Sequence, residues 1–200
     1  MKVIILRHGK TQSNIERRYM GCRTDEDLLE TEESSLQDPG IADDDLLIIS
    51  SPMKRSLQTA HIFFPGKEVL VADDLREMDF GIFEGKNYMD LSGDPDYQSW
   101  VDSGCTSRIP GGESMDSFIK RTMTGFREAV RTAIDKRAAT LCIVAHGGSI
   151  MSVMYSLFGG NYYDYYTQNG DGYIFRLEVD DAGDFAAAGT YDSFCGRVRP

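Results

Sequence analysis

Three polar clusters in this chain each follow a short apolar run. Arg7-His8-Gly9 follows the run Lys2 to Leu6, Ser50-Ser51-Pro52 follows Leu46 to Ile49 and leads on to Arg55, and His146-Gly147-Gly148 follows Thr140 to Ala145. An arginine, a histidine and a glycine directly after a buried strand form a compact anion site, because the guanidinium and the freed backbone N–H groups converge there. The planar fork of an arginine suits paired phosphate oxygens. A neutral imidazole is nucleophilic near neutral pH, and guanidinium groups beside it oppose its protonation. The chemistry these residue types allow is therefore the binding of a phosphate-like anion by fixed positive charge beside a nucleophilic nitrogen.

The apolar runs predict the elements that hold the clusters. Lys2 to Leu6, Leu46 to Ile49, Glu68 to Ala72 and Thr140 to Ala145 read as strands. Helices are expected over Thr11 to Arg18, over Met53 to Phe64 with a stop at Pro65-Gly66, and over Ser149 to Phe158 with a stop at Gly159-Gly160. From Glu113 to about Arg137, Met115, Phe118, Ile119, Met123, Phe126, Val130, Ala133 and Ile134 recur at helical spacing, so this helix turns an apolar stripe to the core. Tyr173 to Val179 and Phe185 to Tyr191 flank the turn-rich Asp180-Asp181-Ala182-Gly183-Asp184 and predict a hairpin. Strands alternating with helices imply an α/β fold, a three-layer sandwich whose mostly parallel central sheet carries helices on both faces. Ligands of such sheets sit beyond the carboxyl ends of the strands, so the three clusters are expected to meet at one rim.

Length and composition set further bounds. The 200 residues, 41% of them hydrophobic, are read as a single domain over residues 1–200. Lys2 and Arg7 bracket too short an apolar run for a signal peptide, and no segment approaches the roughly 20 apolar residues of a membrane span. Cys22, Cys105, Cys142 and Cys195 are far apart with no CxxC pair, which argues against a zinc site or disulfide framework and favours a cytoplasmic setting. A net charge of -11 opposes nucleic-acid binding but not a small anion in a basic pocket. The acidic runs Asp25 to Glu33 and Asp43 to Asp45 have no ligand spacing and are expected as solvated surface. The group Tyr162, Tyr163, Tyr165 and Tyr166 is read mainly as packing. The sequence does not give an oligomeric state.

The segment Leu6 to Asn14 resembles the histidine phosphatase superfamily, also called the phosphoglycerate mutase-like family. Ser51 to Ala60, Leu75 to Gly85 and Val144 to Gly148 match the family in order, with weaker support from Pro110-Gly111-Gly112-Glu113-Ser114. The resemblance implies a phosphoglycerate mutase-like fold in which His8 is phosphorylated. Arg7 and Arg55 would clamp the phosphoryl oxygens with help from His146, and Glu77 would donate the proton. Asn14 and Gly147 join the phosphate-binding set. Lys10 stands where relatives often have an acidic residue or glutamine; it either binds a second acidic group or points into solvent. Asp25 to Gln37 keeps little of the family pattern, so the pocket wall there is expected to be remodelled. The implied activity is hydrolysis of a small phosphorylated metabolite without metal or cofactor, in the branch that includes α-ribazole phosphatase. The alternatives are a cofactor-dependent mutase and a catalytically silent phosphate-binding domain.

Overall fold

The computed structural model describes residues 1–36, 41, 45–180 and 183–196. At its centre runs β1 (Lys2–Arg7), whose Val3, Ile4, Ile5 and Leu6 expose no surface. Burying a side chain of this size contributes about 1.5–3 kcal/mol, so a short run of four suffices to anchor the strand. Side chains alternate across a strand. Val3 and Ile5 pack on one face with helix α5 (Met115–Asp135) and helix α6 (Gly147–Phe158), whereas Ile4 and Leu6 pack on the other with Ala60 and Phe63 of α3 (Lys54–Phe63).

The sheet has six strands in the order β3-β2-β4-β1-β5-β6. Its first four members, β1, β2 (Leu46–Ser50), β3 (Leu70–Val71) and β4 (Thr140–Ala145), are mutually parallel. β5 (Asp171–Val179) and β6 (Phe185–Cys195) add an antiparallel hairpin beside β1, with a register shift at Phe175/Arg176. Leu6 pairs with Val144 and Arg7 with Ala145, which sets His8 and His146 side by side at the carboxyl edge. The mostly parallel α/β sandwich expected from the sequence is the fold observed.

Several boundaries differ for local reasons. The helix expected over Thr11 to Arg18 shrinks to α1 (Gln12–Ile15): Thr11 caps it, Asn14 returns the capping bond, and Arg17 turns left-handed at φ 55°. The third strand is two residues rather than five, since only Ile49 and Ser50 of β2 pair with it. α6 starts at Gly147, two residues earlier than the sequence suggests, with His146 as its N-cap. Two further helices went unforeseen: α2 (Glu32–Ser35), and α4 (Pro95–Asp102) with Asp94 as cap and a proline in its first turn. α4 belongs to a third apolar cluster, in which Met78, Phe83, Leu91, Trp100, Ile109 and Phe118 pack together. Among the described residues no helix is long and apolar enough to cross a membrane. Gln37, Asp43, Asp44, Asp181 and Ala182, named in the sequence readings above, lie outside the described residues.

Candidate functional site

His8 is held on every side. Its N–H continues the sheet by donating to the Ala145 carbonyl (2.9 Å), and Gly170 N–H donates to its own carbonyl (3.2 Å). The ring is buried, and Nδ1 lies 2.6 Å from the Gly9 carbonyl. A carbonyl only accepts, so Nδ1 carries the hydrogen and Nε2 of the neutral ring keeps its lone pair. Burial first, then the charges of Arg55 and Arg7, hold the pKa of His8 well below its ordinary 6.5. The pocket thus maintains an unprotonated imidazole with one defined nucleophilic nitrogen.

His146 meets His8 edge-on, ring centroids 5.1 Å apart, and its pKa is lowered by burial, Arg55, His8 and Arg7. Its Nε2 is 2.8 Å from Ser51 Oγ, an oxygen that also accepts from Met53 N–H (3.4 Å). The Ser51 hydroxyl can donate to Nε2, and in that arrangement the proton of a neutral His146 sits on Nδ1. That Nδ1 is buried without a partner among the described residues, as is Arg7 Nε. With that tautomer both atoms are unsatisfied donors, a costly arrangement that an entering acceptor would relieve.

Arg7 donates through Nη1 to the Thr167 carbonyl (2.6 Å) and lies 5.5 Å from the centre of the Tyr166 ring. Gly147 backs its guanidinium: a Cβ there would come within 3.4 Å of Cζ. Arg55 is buried at the start of α3 and donates through Nη2 to the Gly21 carbonyl (2.9 Å) and through Nη1 to that of Thr24 (3.3 Å). Thr59, one turn on, accepts from Gly9 N–H (2.8 Å) and donates to the Arg55 carbonyl (2.6 Å), so the loop after β1 is latched to α3.

Glu77 is buried as well. Its Oε1 accepts from Met78 N–H (2.9 Å) and its Oε2 from Gly148 N–H at the N-terminus of α6 (3.0 Å). Burial pushes its pKa above the ordinary 4.5, against the opposing pull of those N–H groups, Arg55 and Arg7. A carboxyl poised above its usual range beside a deprotonated imidazole can serve as an acid. Gly148 makes this placement possible, since a Cβ there would run into Glu77 Oε1 and lie 2.9 Å from Phe118 Cε1. Gly148→Ala is therefore expected to displace the carboxylate and cut turnover by at least about tenfold. Circular dichroism should stay native, because alanine is the better helix former by about 1 kcal/mol; unchanged turnover would refute the packing argument.

The remaining expected residues divide. Asn14 Oδ1 accepts from Thr11 N–H (3.1 Å) and Asn169 Nδ2 (3.0 Å), which leaves its own amide N–H groups for an anion. Lys10 is exposed; its backbone N–H donates to Glu32 Oε2 (2.6 Å), and the residue borders a groove of about 390 Å³ shared with Asn14 and Asn169. Asn169 gave no signal in the sequence beyond the turn-forming Asn-Gly pair, yet its Nδ2 lies 3.1 Å and 3.2 Å from the carbonyls of His8 and Gly9. The Asp25 to Glu33 run is not simply solvated surface. Asp25 accepts from Lys54 N–H (2.7 Å), Glu26 from Ser13 (3.2 Å) and Asp27 from Gln58 (2.8 Å), while Glu32 is buried. Asp25, Glu26 and Glu32 meet backbone N–H groups that the irregular chain leaves unpaired, and Asp27 meets the side-chain amide of Gln58. The tyrosines split too: Tyr165 is buried, Tyr162 donates to the Gly148 carbonyl (3.1 Å), and Tyr166 stands exposed over Arg7. Among the described residues, no group of three or more His, Cys, Asp or Glu side chains is arranged to hold a metal ion.

The chain is similar to known proteins. The family model described as histidine phosphatase superfamily (branch 1) matches residues 3–184. A putative phosphoserine phosphatase of Hydrogenobacter thermophilus is 30% identical over 167 residues, covering 79% of each chain. A bifunctional protein of Mycobacterium tuberculosis is 30% identical over 192 residues, 90% of this chain but 48% of its own length, so the chain spans about half of that relative. The crystal structure of a putative alpha-ribazole-5'-P phosphatase from Escherichia coli superposes with a TM-score of 0.78 at 22% identity, covering 98% of this chain and 97% of that one, a likeness of fold.

Proposed function

The chain belongs to the histidine phosphatase superfamily, and from that premise we propose that it hydrolyses a small phosphate monoester, without a metal ion, through a phosphohistidine at His8. The observation that carries the proposal is the His8 ring: Nδ1–H is tied to the Gly9 carbonyl, so Nε2 keeps its lone pair in a ring whose protonation the charges of Arg55 and Arg7 oppose and which His146 meets edge-on.

In the first step Nε2 attacks phosphorus. The P–O bond to the alcohol breaks as Glu77 gives its proton to the departing oxygen. Arg7, Arg55, Asn14 and the Nδ1–H of His146 hold the phosphoryl oxygens, with Gly147 supporting Arg7 from behind. Fixed cations there supply the charge stabilisation that phosphoryl transfer chiefly needs. In the second step Glu77 takes a proton from water, the water oxygen attacks phosphorus, and the N–P bond breaks to return neutral His8. Lys10 lies outside this set, at the edge of the neighbouring groove. The four free cysteines agree with a reducing, cytoplasmic setting.

Rapid quenching of a reaction with a ³²P-labelled monoester tests the mechanism. Label should appear on His8 as an acid-labile, alkali-stable bond, and EDTA should leave the rate within about twofold. Label on a serine or cysteine, or activity lost to EDTA and restored by magnesium or zinc, would overturn it. Supplying a second phosphorylated metabolite as acceptor separates hydrolase from mutase: water should receive the phosphoryl group.

A further inference from the structure

Next to the phosphoryl site a cavity of about 300 Å³ opens, sharing Arg7 and Asn14 with it and reaching Arg17, Arg18, Tyr88 and Tyr166. Its three arginines are not equivalent. Arg18 is neutralised by Glu16 (2.5 Å) and Asp90 (2.9 Å) and also donates to the Gly85 carbonyl (2.8 Å). Arg7 is occupied by Thr167 and by the phosphoryl site itself. The side chain of Arg17 has neither ion pair nor hydrogen bond among the described residues, although the chain as a whole carries a net charge of -11.

Its backbone sharpens the point. Arg17 N–H donates to the Asn14 carbonyl (3.3 Å) and Arg18 N–H to that of Ser13 (2.9 Å), the pair of bonds that closes a helix through a left-handed residue. At φ 55° that residue is one glycine would supply without strain. Here it is an arginine, three positions past Asn14, with an uncompensated charge at the mouth of the site. Tyr88 and Tyr166 are more than half exposed, so their phenol groups face the same opening rather than a core.

We propose that Arg17, flanked by Tyr88 and Tyr166, is a specificity subsite for a carboxylate carried by the organic part of the substrate. One unmatched positive charge fits a singly charged group better than a second phosphate. This rests on the reading that the phosphoryl group lies at His8.

Two probes of one skeleton test it: 3-phosphoglycerate and glycerol 3-phosphate differ in having a carboxylate or a hydroxymethyl group. The native protein should favour the acid by about tenfold or more in kcat/KM. Arg17→Gln should remove that preference through KM while leaving glycerol 3-phosphate and p-nitrophenyl phosphate within about twofold, and Arg17→Lys should restore part of it. Equal losses on all three esters, or a native enzyme indifferent to the carboxylate, would overturn the subsite. A stronger preference for propane-1,3-diol bisphosphate than for the acid would also overturn it. Turnover of p-nitrophenyl phosphate reports the phosphatase reading separately. Were that turnover absent, calorimetric binding of 3-phosphoglycerate to native and Arg17→Gln protein would still decide the subsite.

Discussion

His8→Ala is expected to lower turnover of every phosphate monoester by on the order of 10⁴-fold or more while leaving the protein folded. The ring sits between His146 and the Gly9 carbonyl and supports neither sheet face, so its loss removes chemistry rather than core. No neighbour replaces it. The Ser51 hydroxyl is committed to His146, and the thiol of Cys22 is driven by burial further from the thiolate form. Arg7 and Arg55 remain, and a neutral histidine contributes no charge to the cage. Inorganic phosphate should therefore bind the variant about as tightly as it binds the native protein. Calorimetric titration with phosphate beside kcat for p-nitrophenyl phosphate checks both halves. Turnover near the native rate would show that the phosphoryl group goes elsewhere, and loss of phosphate binding along with turnover would mean that the ring organises the cage.

The sequence made much of this site legible, and the reason lies in β1 and β4. Their short uninterrupted apolar runs read as buried strands, and parallel neighbours deliver the residues that follow them to the same edge, hence His8 beside His146. The hairpin β5–β6 was equally plain from its turn residues and alternation. What stayed hidden are residues that act through tertiary contact alone. Asn169 reaches His8 and Gly9 across 160 positions or more of sequence, and its Asn-Gly pair marks a turn but no role at the site. Thr59 was visible within the Ser51 to Ala60 segment, but its latch on Gly9 appears only once α3 is laid against the loop after β1. The acidic run Asp25 to Glu33 misled because charge counts do not reveal which carboxylates will find unpaired N–H groups; Glu32 does so inside the protein, at the backbone of Lys10. The early end of α1 has a comparable cause. Asn14 is a poor helix former that favours caps and turns, its side chain is taken by the N-cap, and the turn that follows leads straight to the left-handed Arg17.

Replacing Glu77 by glutamine should produce a defect that depends on the leaving group. For an alkyl phosphate, whose alkoxide leaves poorly without a proton, formation of phosphohistidine should slow by roughly 10²–10⁴-fold. For p-nitrophenyl phosphate, whose phenolate leaves unaided, the same step should change far less. The comparison belongs in the pre-steady-state burst, since loss of water activation would slow the second step alike for both esters. Acidity adds a second signature. The acid must be protonated and His8 neutral, so the alkyl-ester burst should fail at low pH as His8 gains a proton and at high pH as Glu77 loses one. Because burial and the two arginines lower the first pKa well below 6.5 while burial raises the second above 4.5, the productive range shifts to the acid side of neutrality. Glu77→Gln should abolish the high-pH limb and keep the low-pH one. If the burst falls equally for both esters and the limb persists, Glu77 is not the acid. Glu113 is then a poor substitute, since Arg121 holds its carboxylate ionised despite burial. Glu84 is the better one: burial raises its pKa, and Oε2 lies buried without a partner among the described residues while Oε1 accepts from Gly21 N–H.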